Sequence, residues 1–245
     1  MLVTGGSSGI GRAIAIACAE SGADVAFTYH VNRAGAESAA AGIRATGREP
    51  AVLRADLSKP ADIEALARSA NAALGRVDVW INNAGADILT GAGAGLSARE
   101  KLDLLLNVDL RGTVLASWAA VDLMQKQTGG GLILNMAWDH VVGGATKGEY
   151  APIFCAAKGG IYSFSKALAR AVAPLVRVNV IGPGWVETAW GAELDPEVKA
   201  RITDAIPLKR WGTPEDVASA AVFLASDAAS YISGHMLMIN GGDVI

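Results

Sequence analysis

Short apolar runs rich in β-branched residues alternate along the chain with longer amphipathic or alanine-rich segments. Leu2–Thr4, Asp24–Tyr29, Pro50–Arg54, Val77–Ile81, Gly131–Met136, Arg177–Ile181 and His235–Ile239 have the length and composition of buried strands. Between them, segments such as Arg12–Ser21, Ala34–Thr46, Pro60–Leu74 and Ala156–Ala173 read as helices. That alternation predicts parallel strands joined by right-handed crossovers, with helices on both faces of the sheet. The expected fold is α/β: a doubly wound three-layer sandwich around a seven-stranded parallel sheet. No repeat or linker-like stretch interrupts it, so residues 1–245 are read as one domain. Val186–Trp211, long, charged and holding Pro196 and Pro207, is the segment expected to move. The first strand is short on its N-terminal side, which leaves open a natural start upstream of Met1.

Composition narrows the function classes. Hydrophobic residues make up 51% of the chain against 6% aromatics, and 29 glycines accompany them, which suits closely packed helices and strands. The net charge of −3 is spread over mixed signs with no basic cluster, so nucleic-acid binding has no electrostatic footprint. No apolar stretch reaches 18 residues and the start, MLVTGGSSGIG, lacks a signal-peptide pattern, so no membrane association is expected. Cys18 and Cys155 sit in apolar, helix-like surroundings and are read as buried free thiols, which suits a cytoplasmic protein. No metal site is expected.

The strongest chemical signal is TGGSSGIG, between the first strand and the first helix. Gly5, Gly9 and Gly11 permit a tight turn and let backbone N–H groups approach a pyrophosphate at the helix N-terminus. NNAG (82–85) follows the fourth strand, AAKGG (156–160) opens a helix, PGWVET (183–188) follows the sixth strand, and NGGDVI ends the chain. With NVDLRGT (107–113) and GTPEDVASAAVFLASDAASYISG (212–234), this set resembles the short-chain dehydrogenase/reductase family across essentially the whole chain. The members it is most similar to are the 3-oxoacyl-carrier-protein reductases.

The resemblance implies a Rossmann-type dinucleotide site. Gly5, Ser7, Ser8, Gly9, Ile10 and Gly11 would form the phosphate loop; Asp56 and Leu57 would meet the adenine; Asn83, Ala84 and Gly85 would lie under the adenosine. Pro183, Gly184, Val186 and Thr188 would border the nicotinamide. NAD-preferring relatives carry an acid at the end of the second strand, where this chain has Tyr29, then His30 and, three residues further on, Arg33. With no carboxylate to repel a 2′-phosphate and Arg33 available to pair with it, NADP (NADPH) is expected over NAD. A plainer reading leaves Arg33 as a solvated charge at a helix start. Asn83 also has a structural reading, as a pin between neighbouring strands.

The family's chemistry passes a hydride between nicotinamide and a small-molecule carbonyl or alcohol, with a tyrosine supplying the proton. A lysine four residues later assists the tyrosine and holds the nicotinamide ribose, a serine polarises the carbonyl, and an asparagine completes the relay. Lys158 and Asn107 match two of these four roles. The other two depart: LNMAW (134–138) puts Ala137 and Trp138 at the serine positions, and the tyrosine position is Phe154. Phenyl has no proton to give, and indole offers only a donor N–H. General acid catalysis is typically worth about 10²–10⁴-fold, so the usual proton transfer cannot operate here.

Residues 139–150 are longer than the family's usual connection and hold the candidate replacements. His140 closely follows the strand end and titrates in the neutral range by nature. Tyr150 precedes Phe154 by four residues, although Pro152 in the first helical turn puts it just outside the helix. Asp139, Lys147 and Glu149 accompany them. Phe154, Trp138, Trp185 and Trp190 suggest an aromatic-lined pocket. The expected function is an NADP-dependent oxidoreductase with a non-standard proton donor; the alternative is a cofactor-binding, catalytically silent regulatory or structural member of the family. The resemblance also implies a homotetramer, or a homodimer.

Overall fold

The computed structural model describes residues 1–144, 148–192 and 194–245; Lys147 therefore lies outside the described residues. Seven strands, β1 (Leu2–Val3), β2 (Ala26–Tyr29), β3 (Ala51–Arg54), β4 (Val79–Asn82), β5 (Gly131–Met136), β6 (Val176–Pro183) and β7 (Met236–Ile239), form one sheet in the order β3-β2-β1-β4-β5-β6-β7. Every pairing is parallel. The helices are α1 (Gly9–Glu20), α2 (Arg33–Ala45), α3 (Pro60–Leu74), the short α4 (Gly91–Ala94), α5 (Ala98–Leu105), α6 (Gly112–Met124), α7 (Ala151–Ala171), the short α8 (Ala189–Ala192), α9 (Pro196–Ala205) and α10 (Pro214–Ala225).

Strand alternation explains why β1, β4 and β5 bury side chains on both of their faces. Val3, Val79, Ile81, Leu132 and Leu134 pack on one face with α1, α2 and α10. Their neighbours Leu2, Trp80 and Ile133 point the other way, against α3, α6 and α7. A sheet buried on both sides requires that pattern. The centre of the second face is polar: Asn82 donates to Asn135 Oδ1 at 2.8 Å and to Ser117 Oγ at 3.0 Å, and Asn135 donates to Ser165 Oγ at 2.8 Å. All four are buried, and each bond satisfies a group that would otherwise be costly there. The network ties adjacent strands β4 and β5 to α6 and α7.

Two boundaries differ from the sequence expectation, and both matter for the site. α7 starts at Ala151, five residues before the expected Ala156, with Pro152 in its first turn and Tyr150 at its N-cap. Phe154 thus lies inside the helix. Leu106–Arg111 forms a π-helical turn between α5 and α6, and such turns recur at functional sites. The continuous run Ala98–Met124 is, among the described residues, long and apolar enough to cross a membrane by length and composition, with a hydropathy of 1.3. Here its buried stripe covers the sheet: Gly112, Thr113, Ala116, Ser117, Ala120, Val121 and Met124 face inward.

Candidate active site

A cleft of about 830 Å³ opens outside the carboxyl ends of β1, β2, β3 and β4. Its floor is the loop between β1 and α1. Gly5 and Gly9 hold φ values of 69° and 49°, which glycine adopts without strain. A Cβ on Gly11 would lie 2.3 Å from both Asn83 Nδ2 and Gly5 O, so only glycine lets α1 come this close to the strand ends. The start of α1 is prepared for an anion. Ser8 makes no side-chain capping bond and no carboxylate stands in the first turn, so the helix's first N–H groups face the cleft. Gly5, Ser7, Ser8, Gly9, Ile10 and Gly11 all line it. Asn83 both lines the cleft and pins strands: its Nδ2 donates to Thr4 O at 3.0 Å and its N–H to Thr4 Oγ1 at 3.0 Å. Ala84 and Gly85 continue the wall. These residues fit the phosphates and ribose of a dinucleotide.

The outer end is built by β2 and β3. Strand alternation turns Thr28 and His30 toward the cleft and Tyr29 away, where its ring packs against the core under α1 and α2. Tyr29, read as a cofactor residue in the sequence, therefore does not line the cleft, while His30 and Asn32 do. His30 Nε2 lies 3.6 Å from Asp56 Oδ2. Burial pushes the Asp56 carboxyl up, but hydrogen bonds from Ser58 and Lys59 and the charge of His30 hold it below the usual aspartate value. Asp56 and Leu57 line the cleft. Arg33 does not: its side chain is 80% exposed and pairs with Glu37 at 3.1 Å along α2.

At the inner end, Lys158 and Phe154 reach the cleft from one face of α7, one turn apart. Lys158 Nζ lies 2.9 Å from Asp109 Oδ2, and both side chains are buried, at 9% and 1% exposure. The other Asp109 oxygen accepts the Ala86 N–H at 2.8 Å. Asn107, the residue expected here, is exposed on the π-turn and is not brought into the site. Asp109 takes its place. The signal for it was present in the sequence: Leu105, Asp109, Thr113 and Ala116 follow one helical stripe, and a carboxylate on an otherwise buried stripe needs a partner.

Neither His140 nor Tyr150 lines the cleft. Tyr150 sits before α7 with Lys101 Nζ 3.8 Å from its ring centre, packed with Ile88 and Leu105. His140 lies on a 3-10 turn, Asp139–Val141, directly after β5. Its Nδ1 is 2.8 Å from Oδ1 of the fully buried Asp139, and its Nε2 is 3.7 Å from Asp243 Oδ2. Asp139 is itself held by Asn240 Nδ2 at 3.1 Å, and Asp243 by Trp185 Nε1 at 3.0 Å. The hydrogen bond to Asp139 raises the His140 pKa above 6.5, against a smaller opposing effect of burial. Both ring nitrogens are thus engaged with carboxylates behind the cleft wall.

That wall is a chain of rings. Phe154 meets Trp138 edge-on at 5.9 Å, Trp138 stacks on His140 at 4.6 Å, and His140 meets Trp185 at 6.1 Å. Trp185 stacks on Trp190 at 5.7 Å, and both contact Trp211. Of the four aromatic residues expected to line a pocket, Phe154 and Trp190 do so, while Trp138 and Trp185 stand behind them. Thr188 also borders the cleft. Pro183, Gly184 and Val186 lie outside its lining, at the end of β6, where Val186 bridges to Gly212.

A parallel sheet in this order, with a glycine loop and an uncapped helix start at its switch point, defines the class of doubly wound dinucleotide-site proteins. A family model described as enoyl-(acyl carrier protein) reductase matches residues 5–243. The chain is 34% identical over 245 residues to 3beta-hydroxysteroid dehydrogenase 1 of Eggerthella lenta, covering 99% of this chain and 92% of that protein. It is 32% identical over 243 residues to a 3-oxoacyl-[acyl-carrier-protein] reductase of Staphylococcus epidermidis, covering 98% and 97%. Among solved structures, a short-chain dehydrogenase of Burkholderia cenocepacia in complex with NADP superposes with a TM-score of 0.88 at 30% identity, covering 99% of this chain and 96% of that one. The chain belongs to the short-chain dehydrogenase/reductase family of oxidoreductases.

Proposed function

We propose that this chain is an NADP-dependent oxidoreductase that transfers a hydride between nicotinamide and a small carbonyl or alcohol, without the family's usual tyrosine and serine. The observation that carries this reading is Lys158, buried and paired at the inner end of a complete dinucleotide cleft. A dinucleotide bound there supplies the hydride chemistry. The chain's own part is to hold the phosphates on the α1 N-terminus, to offer Lys158 to the nicotinamide ribose, and to shield the reacting carbon with Phe154 and Trp190. NADP is favoured because the outer rim at β2 presents His30 and Asn32 and no carboxylate of its own. Arg33 supports it as well: its exposed pair with Glu37 is of the kind worth little, so the guanidinium is free to turn toward a 2′-phosphate. A cytoplasmic location suits this reading.

A second reading, a cofactor-binding member without turnover, draws support from the edge contact of Phe154 and Trp138, which fills the place of the usual donors. Calorimetric titration with NADPH and NADH, alongside NADPH oxidation against a panel of carbonyl compounds, separates the two. The oxidoreductase reading expects tighter NADPH binding, selectively weakened by Arg33→Ala or His30→Ala, and turnover on part of the panel. Equal affinities reject the NADP preference. Binding without any turnover favours the second reading.

A further inference from the structure

We propose that Lys158 itself is the acid that protonates the substrate oxygen, with Asp109 as the positioning residue that holds its ammonium; this rests on the oxidoreductase reading above. Few protonatable groups reach the cleft. Among the described residues its acidic and basic lining groups are His30, Asp56, Asp87, Asp109 and Lys158. His30 and Asp56 lie together at the outer end, beyond β2 and β3. Asp87 sits on the wall after β4. Burial pushes its carboxyl up, but bonds from Thr90 and Leu89 hold it below the usual value, so it is an ionised acceptor. Asp109 accepts from Ala86 and from Lys158 and is likewise an acceptor. His140 and Tyr150 are turned elsewhere, onto Asp139 and under Lys101.

Lys158 is what remains. Its ammonium carries three N–H bonds, of which one is directed to Asp109 at 2.9 Å. Two are left for the cleft. Phe154, one turn earlier on the same face, brings no oxygen between Nζ and the space beside its ring. A substrate oxygen there meets the ammonium itself. Asp109 contributes as an anchor: its second oxygen is fastened to the Ala86 backbone, so the carboxylate stands fixed beside Nζ.

The step balances as follows. The carbonyl carbon gains the hydride given up by the reduced nicotinamide, and the C=O π pair moves onto oxygen. That oxygen forms an O–H bond as one Nζ–H bond breaks, leaving a neutral amine beside Asp109. The carbonyl compound is reduced to an alcohol, the dinucleotide is oxidised, and water entering the open cleft restores the proton to Nζ.

Lys158→Arg tests the donor, because guanidinium keeps the charge and can donate to ribose hydroxyls but does not release a proton at working pH. We expect turnover of an activated ketone, measured at an NADPH concentration that calorimetry shows to saturate the variant, to fall about 10²–10⁴-fold. Retained turnover in Lys158→Arg would overturn the assignment and leave the oxidoreductase reading standing. Wild-type protein that binds NADPH but oxidises it with none of the carbonyl panel overturns both. The role of Asp109 is read without turnover, by mass-spectrometric acetylation of Lys158 with acetic anhydride in ligand-free protein. Asp109→Asn keeps the shape and weakens the hold on Nζ, so Lys158 should leave its anchored position and label at least several-fold faster. Labelling at the wild-type rate would overturn the positioning role, whether or not Lys158→Arg folds.

Discussion

Phe154 and Trp138 touch each other beside the cleft, and they are the residues that the family resemblance sets against the usual hydroxyls. Replacing them by Tyr and Ser puts a phenol one helical turn from the Lys158 ammonium and a hydroxyl at the end of β5. An ammonium near a phenol favours the phenolate and lowers its pKa, which is the condition a proton donor near neutrality needs. The double variant Phe154→Tyr, Trp138→Ser should therefore reduce small activated ketones about 10²-fold or more faster than the wild type, measured as NADPH consumption at saturating cofactor. An unchanged rate, with NADPH affinity intact, would mean that the end of β5 is displaced from the family's position. The substitution also removes the indole that stacks on His140, so some loss of stability should accompany the gain.

The 3-10 turn after β5 is fastened to the C-terminal segment by His140, which stands between Asp139 and Asp243. Its pKa is raised in the folded protein, chiefly by the bond to Asp139, so the proton binds more tightly folded than unfolded. The resulting stability is fully present below about 6.5 and is lost as pH rises through the folded value. His140→Gln should therefore lower Tm more at pH 6 than at pH 9; an equal loss at both would show that the charge is not used. Elements of this size also mark how far the sequence could be read. The strands and the glycine loop were legible because period and turn chemistry are local. Asp109 left only its place on a buried stripe as a signal, because Asn107 matches the family's relay residue by type, while the π-turn decides which residue faces α7. Tyr29 was misplaced for a related reason: its strand position was right, but the pleat turns its ring to the core and His30 to the cleft. His140 looked free in the sequence because Asp243, and Asn240, which holds its neighbour Asp139, lie about a hundred residues away and come close only when β7 closes the sheet.

At the scale of the whole molecule, the helices on the Lys158 side of the sheet carry their own unfinished surface. Trp118 on α6 is 53% exposed, on a helix whose opposite side is buried against the sheet. We propose that α6 and α7 pair with the same helices of a second copy, within the homotetramer that the family resemblance implies. Light scattering should then give an assembly mass, and Trp118→Glu should shift it to a smaller species without loss of secondary structure; a wild-type monomer would reject this. Six tryptophans are distributed over the chain, and three of them, Trp185, Trp190 and Trp211, lie within 5.5–6.0 Å of one another. Trp190 alone of the three borders the cleft. Indoles that close share their excited states, so light absorbed by any of them is felt at Trp190. A reduced nicotinamide arriving beside it would drain that excitation, and the protein's own ultraviolet emission would report an occupied site without any added label.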